Sequence, residues 1–148
     1  MENILLPIAV HVFLIRENSI LLAKRINTGF KDGYWSVPAG RLNSNETIRQ
    51  AMVREVKEEV GVKINVKDLS KPILMHHQDD RGERLHFFSY CSVWKGKLKN
   101  METDKCEKIE WFNFDGLPDQ VVEHVKFVLE NLNKSYFEYG FENKFLKL

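Results

Sequence analysis

Short apolar runs separated by turn residues recur along this chain, and they predict a protein rich in β-strands. The runs Ile8–Ile15 and Ile20–Lys24 are separated by Arg16–Ser19, a segment of turn residues, and together they predict a β-hairpin. Residues 78–83, QDDRGE, have the composition of a turn. The remaining predicted strands are Tyr34–Val37, Ile64–Leu69, Ile73–His77, Arg84–Trp94 and Lys108–Phe114.

The pattern changes to a helical period between residues 47 and 60. Apolar residues fall on one face of the predicted helix: Met52, Val53, Val56 and Val60. Gly61 follows at the position where a left-handed backbone conformation ends a helix. Asn43 or Ser44 is the expected N-cap, and Asn43 with Glu46 has the spacing of a capping box.

A second helix is predicted from Leu117 to about Leu132. Its apolar stripe consists of Val121, Val125, Val128, Leu129 and Leu132. A tail dense in aromatic residues follows at Tyr136–Phe145. Exposed aromatic residues in such number usually have a partner, so a homodimer is a hypothesis that rests on this tail alone.

Length and charge narrow the class of protein. A chain of 148 residues is one domain by the usual size range, and 29% charged residues with 43% apolar residues is ordinary for a soluble globular protein. The formal net charge of +1 gives no field that would favour nucleic acid or an anionic membrane. The apolar stretch Ile4–Ile15 lacks a basic leader and is too short to span a bilayer, so we expect a cytoplasmic protein. Cys91 and Cys106 lack metal-type spacing and are expected to be reduced thiols.

Three carboxylates give the predicted first helix its chemistry. Glu55, Glu58 and Glu59 lie three and four residues apart, which puts them on one helical face. Like charges at these spacings repel by roughly 0.2–0.5 kcal/mol per pair, so a purely structural helix gains nothing from them. A divalent cation such as Mg²⁺ or Mn²⁺ would reverse the sign of that interaction. The alternative is an ordinary solvated charged face.

The residues around these carboxylates resemble the signature of the Nudix hydrolases. The matching positions between Gly40 and Val62 are Gly40, Glu46, Arg54, Glu55, Val56, Glu58, Glu59, Gly61 and Val62. A chance match to seven fixed positions is on the order of 10⁻⁸ per window. The resemblance implies an α/β/α sandwich with a mixed β-sheet between helices, formed as a single Nudix domain by residues 1–148.

The resemblance also implies an activity and a metal site. Nudix enzymes hydrolyse a diphosphate linked to another moiety, commonly a nucleotide, by attack of water on phosphorus, and cations neutralise the charge that develops. It assigns as ligands of Mg²⁺, or of Mn²⁺, the carboxylates of Glu55, Glu58 and Glu59 and the backbone carbonyl of Gly40. Arg54 is expected to pair with Glu55 or Glu46 and so orient the ligands.

The remaining site residues are less strongly indicated. The candidate general base is a loop carboxylate, with Glu102 preferred to Glu107. The alternative is that both are solvated loop residues without a catalytic role. Arg25 is expected to contact substrate phosphates, with Lys24 as its competitor. Three aromatic residues are candidates for stacking on a base or sugar, with a place in the core as the alternative: Phe30, Tyr34 and Trp35. Metal binding by His76, His77 and His86 is a weaker alternative, because the carboxylates already form a site for a hard cation.

The substrate predicted from the overall layout is a nucleoside triphosphate, converted to nucleoside monophosphate and pyrophosphate as in MutT-type members. ADP-ribose or a nucleotide-sugar is the alternative substrate. ADP-ribose pyrophosphatases of this family often have a proline about fifteen residues past the signature, and Pro72 of this chain is too close to match it. Two other functions stay open: a module that senses nucleotides without hydrolysis, and an RNA-decapping enzyme. A net charge of only +1 gives the decapping enzyme no support.

Overall fold

A mixed β-sheet forms the centre of the molecule in the computed structural model, which describes residues 2–141. Its strands are β1 (Ile8–Arg16), β2 (Ser19–Arg25), β3 (Trp35–Ser36), β4 (Ala39–Arg41), β5 (Ile73–Asp79), β6 (Gly82–Cys91), β7 (Cys106–Asn113) and β8 (Tyr136–Tyr139). The order is β3-β2-β1-β6-β5-β8, with β4 paired to β1 and β7 paired to β2. β1 runs parallel to β6 and antiparallel to β2 and β4, so the sheet is mixed as predicted.

Two helices cover opposite faces of this sheet. Side chains of β1 alternate between the faces, as the period of two in a strand requires. Val10, Val12 and Leu14 belong to a buried cluster that includes the apolar face of α1 (Ile48–Val60), whereas Phe13 belongs to a second cluster with α2 (Glu123–Leu129). The arrangement is the predicted α/β/α sandwich.

The first hairpin, β5, the QDDRGE turn and the left-handed Gly61 agree with the sequence analysis, but the start of α1 does not. Thr47 is the N-cap, with Gln50 as its capping-box partner, so the prediction of Asn43 or Ser44 is wrong. Glu46 does accept a bond of 2.7 Å from the backbone amide of Asn43, but it does so ahead of the helix. Arg54 also donates two hydrogen bonds to the Glu46 carboxylate, and these bonds hold the turn before Thr47 outside the helix.

Other predicted boundaries also differ. Residues 64–69 are not a strand: Lys63 forms an isolated bridge with Lys95, and a short 3₁₀ helix at Val66–Asp68 follows. The strand predicted to reach Trp94 ends at Cys91. α2 begins only at Glu123, because residue Val121 is still extended and bridges to Trp35.

The aromatic tail packs on its own sheet. β8 lies parallel to β5, and Phe137 is buried, although Tyr136 is exposed. The part of the predicted tail after Phe141, including Phe145, lies outside the described residues. The homodimer stays a prediction, but fewer exposed aromatic residues support it than the sequence suggested.

Within residues 2–141, none of the helices is long and apolar enough to cross a membrane.

Candidate active site

The backbone of β4 lies directly against the carboxylate face of α1. A Cβ atom built on Gly40 would lie 2.0 Å from both Cδ and Oε1 of Glu55, a separation no real side chain tolerates. Only glycine therefore allows the Glu55 carboxylate to lie against the strand. The structure thus brings together Gly40 and Glu55, two of the residues that the resemblance assigns to the metal.

The three carboxylates of α1 differ in their surroundings. Glu58 is exposed, with 54% of its side chain accessible, whereas Glu55 is buried. Burial raises the pKa of Glu55, and the bond from Arg54 opposes that change. Burial raises the pKa of Glu59 well above its usual value of 4.5, although the backbone amide of Ala39 donates a bond of 2.8 Å to its Oε2. Burial and the neighbouring carboxylates therefore both disfavour the charged forms of Glu55 and Glu59, and a bound cation would favour them.

Arg54 connects the carboxylates on both sides of it. Its guanidinium donates two bonds to Glu46, at 3.0 and 2.7 Å, and one of 2.6 Å to Oε1 of Glu55. It also donates to the backbone carbonyl of Arg41 at 2.9 Å, and a longer contact of 3.4 Å reaches Glu58. The sequence left Glu46 and Glu55 as alternatives, and the structure pairs Arg54 with both.

The loop before β7 brings a fourth carboxylate to the site. The backbone amides of Lys99 and Met101 donate to the carbonyls of Val60 and Glu59 at 3.0 and 2.9 Å, which fixes the loop on the end of α1. Glu102 lines the same cleft as the three helical glutamates, and its negative charge raises the pKa of Glu55 and of Glu59. Glu107, the second candidate base, instead forms an ion pair of 3.3 Å with Lys24.

The cleft has a volume of about 620 Å³, and cationic side chains line it together with the carboxylates. These are Lys24, Arg25, Arg41 and Lys105. Arg25 is held by bonds to the carbonyl of Phe30 at 2.8 Å and to Thr28 Oγ1 at 3.0 Å, and burial lowers its pKa. Arg41 and Lys105 were missed by the sequence analysis, although each lies close in sequence to a residue that it did identify.

The three aromatic candidates are not brought to this cleft. Trp35 is 8% exposed and packs edge-on against Phe112 in the core next to α2. Phe30 and Tyr34 pack against the same cluster, and none of the three lines the cleft. Stacking on a base or sugar stays a prediction for them, and the structure gives them packing roles. His76 pairs with Glu83 at 3.1 Å, also away from the cleft.

The donor set fits a hard divalent cation. Oxygen ligands from several carboxylates suit Mg²⁺ or Mn²⁺. The cationic side chains that line the same cleft suit the phosphate groups of a substrate. The lack of space for a side chain at Gly40 is a further sign that β4 is fitted to the Glu55 carboxylate.

Comparisons with known proteins give the same picture. The family model described as the NUDIX domain matches residues 5–131. An ADP-ribose pyrophosphatase of Methanocaldococcus jannaschii is 34% identical over 121 residues, covering 82% of this chain and 70% of that protein. An 8-oxo-dGTP diphosphatase of Proteus vulgaris is 34% identical over 98 residues, covering 66% of this chain and 86% of that protein. A MutT NUDIX hydrolase structure from Burkholderia pseudomallei superposes with a TM-score of 0.73 and 25% identity, covering 84% of this chain and 95% of that one.

Proposed function

The chain belongs to the Nudix family and is a hydrolase of pyrophosphate bonds, and from that premise we propose that it converts a nucleoside triphosphate to nucleoside monophosphate and pyrophosphate with the help of a divalent cation. The observation that carries the proposal is the cleft in which the carboxylates of α1 and four cationic side chains lie together. A triphosphate has the negative charge and the length to use both sets of groups.

We assign the cation, Mg²⁺ or Mn²⁺, to Glu55, Glu58, Glu59 and the carbonyl of Gly40. When bound, such a cation neutralises charge on the phosphate oxygens and polarises the phosphorus for attack. Arg54 positions the ligands, since it donates to Glu55 and reaches Glu58 while Glu46 holds it in place.

Glu102 is the general base in this proposal. It accepts a proton from the attacking water as the water oxygen bonds to phosphorus and the bond to the bridging oxygen between the α- and β-phosphates breaks. Arg25 and Lys105 bind the phosphate oxygens, and the leaving group departs as pyrophosphate. Support for Glu102 over Glu107 comes from its place in the cleft and from the pairing of Glu107 with Lys24.

The chain is proposed to work as one domain in the cytoplasm with a small nucleotide as its partner. Both cysteines are free thiols, Cys91 buried and Cys106 partly so, which agrees with a reducing compartment.

The first test is a hydrolysis panel with Mg²⁺ and with Mn²⁺, with products identified by mass spectrometry. The panel contains canonical and oxidised nucleoside triphosphates, ADP-ribose, nucleotide-sugars, dinucleoside polyphosphates and capped RNA. Nucleoside monophosphate with pyrophosphate from one triphosphate supports the proposal. Absence of any product with either metal contradicts it and favours a sensing role.

A paired substitution tests the site in the same assay. We expect Glu58→Gln to lower turnover by at least a hundredfold without a change in fold, because it removes a charged ligand at an exposed position. Glu130→Gln, a change of an exposed glutamate just past α2, is the matched control and should keep wild-type activity. Wild-type activity in Glu58→Gln as well as in Glu130→Gln would rule out the assigned metal site.

ADP-ribose is the second candidate substrate. It is favoured by the relative from Methanocaldococcus jannaschii, which is named for that activity and matches 82% of this chain. Release of AMP with ribose 5-phosphate, with no hydrolysis of triphosphates, would establish this candidate instead of the first.

A further inference from the structure

Four histidines from four different elements meet on the face of the sheet that carries α2. His11 lies on β1, His77 on β5, His86 on β6 and His124 on α2, and all four are buried. His11 alternates with Val10 and Val12, which pack towards α1, so its side chain projects from the opposite face. The cluster is therefore separated from the carboxylates of α1 by the sheet.

The imidazole rings are linked to each other. Nε2 of His11 lies 2.8 Å from Nδ1 of His86, and Nε2 of His86 lies 3.1 Å from Nδ1 of His77. The ring of His124 stacks on that of His86 with centroids 4.6 Å apart, and it lies 5.8 Å from the ring of His11. One ring nitrogen from each of His11, His86 and His124 can be chosen so that all three lie within 4.8 Å of one another.

Nδ1 of His11 is buried and has no hydrogen-bond partner among residues 2–141, which is uncommon for a buried polar atom, so this imidazole contributes to the cluster through Nε2. Burial lowers the pKa of all four histidines, that of His77 to about 4 and that of His86 to about 3. Neutral imidazole is the form that binds a metal ion.

We propose that His11, His86 and His124 form a binding site for a transition-metal ion of the Zn²⁺ class, distinct from the carboxylate site. Imidazole nitrogen suits Zn²⁺, Co²⁺, Ni²⁺ and Cu²⁺, whereas Mg²⁺ prefers oxygen, so the two sites select different metals. Tetrahedral Zn²⁺ with bonds of about 2.0–2.1 Å needs nitrogens roughly 3.3 Å apart. The site thus forms when the His11–His86 bond opens slightly and His124 approaches.

His77 is the positioning residue of this site. A histidine that binds a metal commonly donates its other N–H to a neighbour that fixes the ring orientation. When Nδ1 of His86 faces the metal, its Nε2 faces Nδ1 of His77, and Nε2 of His77 lies 3.8 Å from Oδ2 of Asp79. His77 is therefore hydrogen-bonded to His86, and the Asp79 carboxylate lies near it but beyond hydrogen-bond distance.

Charged side chains surround the cluster and affect whether a cation can bind there. Arg81 and Arg84 on the β5–β6 hairpin oppose a cation, but both contact the carboxylate of Asp79. Arg25 also adds positive charge near His11. A small cavity of about 140 Å³ reaches His77 and His124 from the side. Its charged lining residues are Asp79, Glu123 and Lys31, and Lys31 pairs with Glu123 at 3.1 Å.

The test begins with chelator-treated protein in millimolar Mg²⁺, which occupies oxygen sites. Zn²⁺ is added, the free ion is removed by gel filtration, and the bound metal is counted by elemental mass spectrometry. We expect one Zn²⁺ per chain. Co²⁺ in its place should give the intense visible absorption of a tetrahedral nitrogen site, and ring ¹⁵N resonances of three histidines should shift.

Substitutions assign the metal to the cluster. His86→Gln and His124→Gln should weaken Zn²⁺ binding at least a hundredfold, and His77→Gln ten- to a hundredfold. His76→Gln is the matched control, since His76 is the fifth histidine and pairs with Glu83 outside the cluster. Glu58→Gln should keep its full Zn²⁺ content even though turnover falls, so failure here and failure of the proposed hydrolysis are separate results.

Other results would overturn the proposal. It fails if wild-type protein retains no Zn²⁺, if Co²⁺ gives only the weak absorption of an octahedral oxygen site, or if Zn²⁺ is lost with Glu58→Gln and kept with the histidine variants. Should a histidine variant not fold, the Co²⁺ absorption and the ¹⁵N shifts of the wild-type protein decide the question without it.

Discussion

At the scale of single residues, Gly40 is constrained by its close approach to the Glu55 carboxylate. The strand and the helical carboxylate approach so closely that even a methyl group would overlap Cδ of Glu55. The family signature therefore has a steric reason at this position, in addition to the backbone carbonyl that we assign to the metal.

Gly40→Ala should push the Glu55 carboxylate out of place. We expect turnover to fall at least tenfold and the Mg²⁺ concentration for half-maximal rate to rise, because a misplaced ligand weakens the site. The measurement is a Mg²⁺ titration of the hydrolysis rate. Gly116→Ala is the control, since a Cβ there meets no atom within 4 Å and its backbone angle is not in the left-handed region. An unchanged Mg²⁺ dependence in Gly40→Ala would refute the steric argument.

Arg54→Lys tests the guanidinium that joins Glu46 to Glu55. Lysine keeps the charge but cannot make the two parallel bonds to Glu46 together with the bond to Glu55. We expect the free energy of unfolding to fall by about 1–2 kcal/mol in urea titrations, with a clear loss of turnover. Arg49→Lys, an exposed arginine on the same helix, should change neither quantity. Equal stability and turnover in the two variants would show that the simultaneous bonds of the guanidinium to Glu46 and Glu55 are unimportant.

At the scale of elements, α1 lies between β4 and the loop before β7, and each neighbour adds one part of the site. The sequence could predict α1, its carboxylate face and its end at Gly61, because period, charge and glycine are local signals. It could not place the N-cap, because Asn43 and Thr47 both have capping chemistry. Which of them caps the helix depends on Arg54, which donates a hydrogen bond to Glu46 eight positions earlier in the chain. It preferred Glu102 to Glu107 but could not show which of the two reaches the cleft, since that depends on how the loop docks on α1.

Glu102→Gln tests the docked loop. If Glu102 accepts the proton of the attacking water, kcat should fall at least a hundredfold with little change in KM. Glu107→Gln is the control, because that side chain pairs with Lys24. A loss of rate in Glu107→Gln with normal rate in Glu102→Gln would exchange the two assignments.

At the scale of the whole molecule, the sheet separates two clusters of polar side chains, the carboxylates of α1 on one face and the histidines on the other. The carboxylates of α1 are a local motif and could be found from the sequence. The histidine cluster could not, because His11 and His86 are 75 residues apart and meet only through the parallel pairing of β1 with β6. His124 joins them only because α2 covers the same face. The sequence analysis named His77 and His86 but grouped them with His76, which faces the other way.

The buried histidines also make the stability of the metal-free protein depend on pH. Burial holds the pKa of His77 at about 4 and that of His86 at about 3, below the usual 6.5 of an unfolded chain. Between these values the unfolded state binds more protons than the folded state, so protons favour unfolding. The stabilisation is complete above about pH 6.5 and is lost as the pH falls towards 3. The raised pKa values of Glu55 and Glu59 act with the opposite sign, so only a comparison between variants isolates the histidines.

We therefore expect the free energy of unfolding, measured by urea titration in the presence of a chelator, to fall more steeply from pH 6.5 to 4.5 in wild-type protein than in His77→Gln. The difference between the two curves should change by about 1–2 kcal/mol over that range, since each tenfold change in proton affinity corresponds to about 1.4 kcal/mol and partial exposure to solvent reduces the full effect. His76→Gln should follow the wild-type curve, because no part of the cluster is removed. Parallel curves for wild type and His77→Gln would mean that the neutral imidazoles are not linked to folding, and the cluster would then be packing alone.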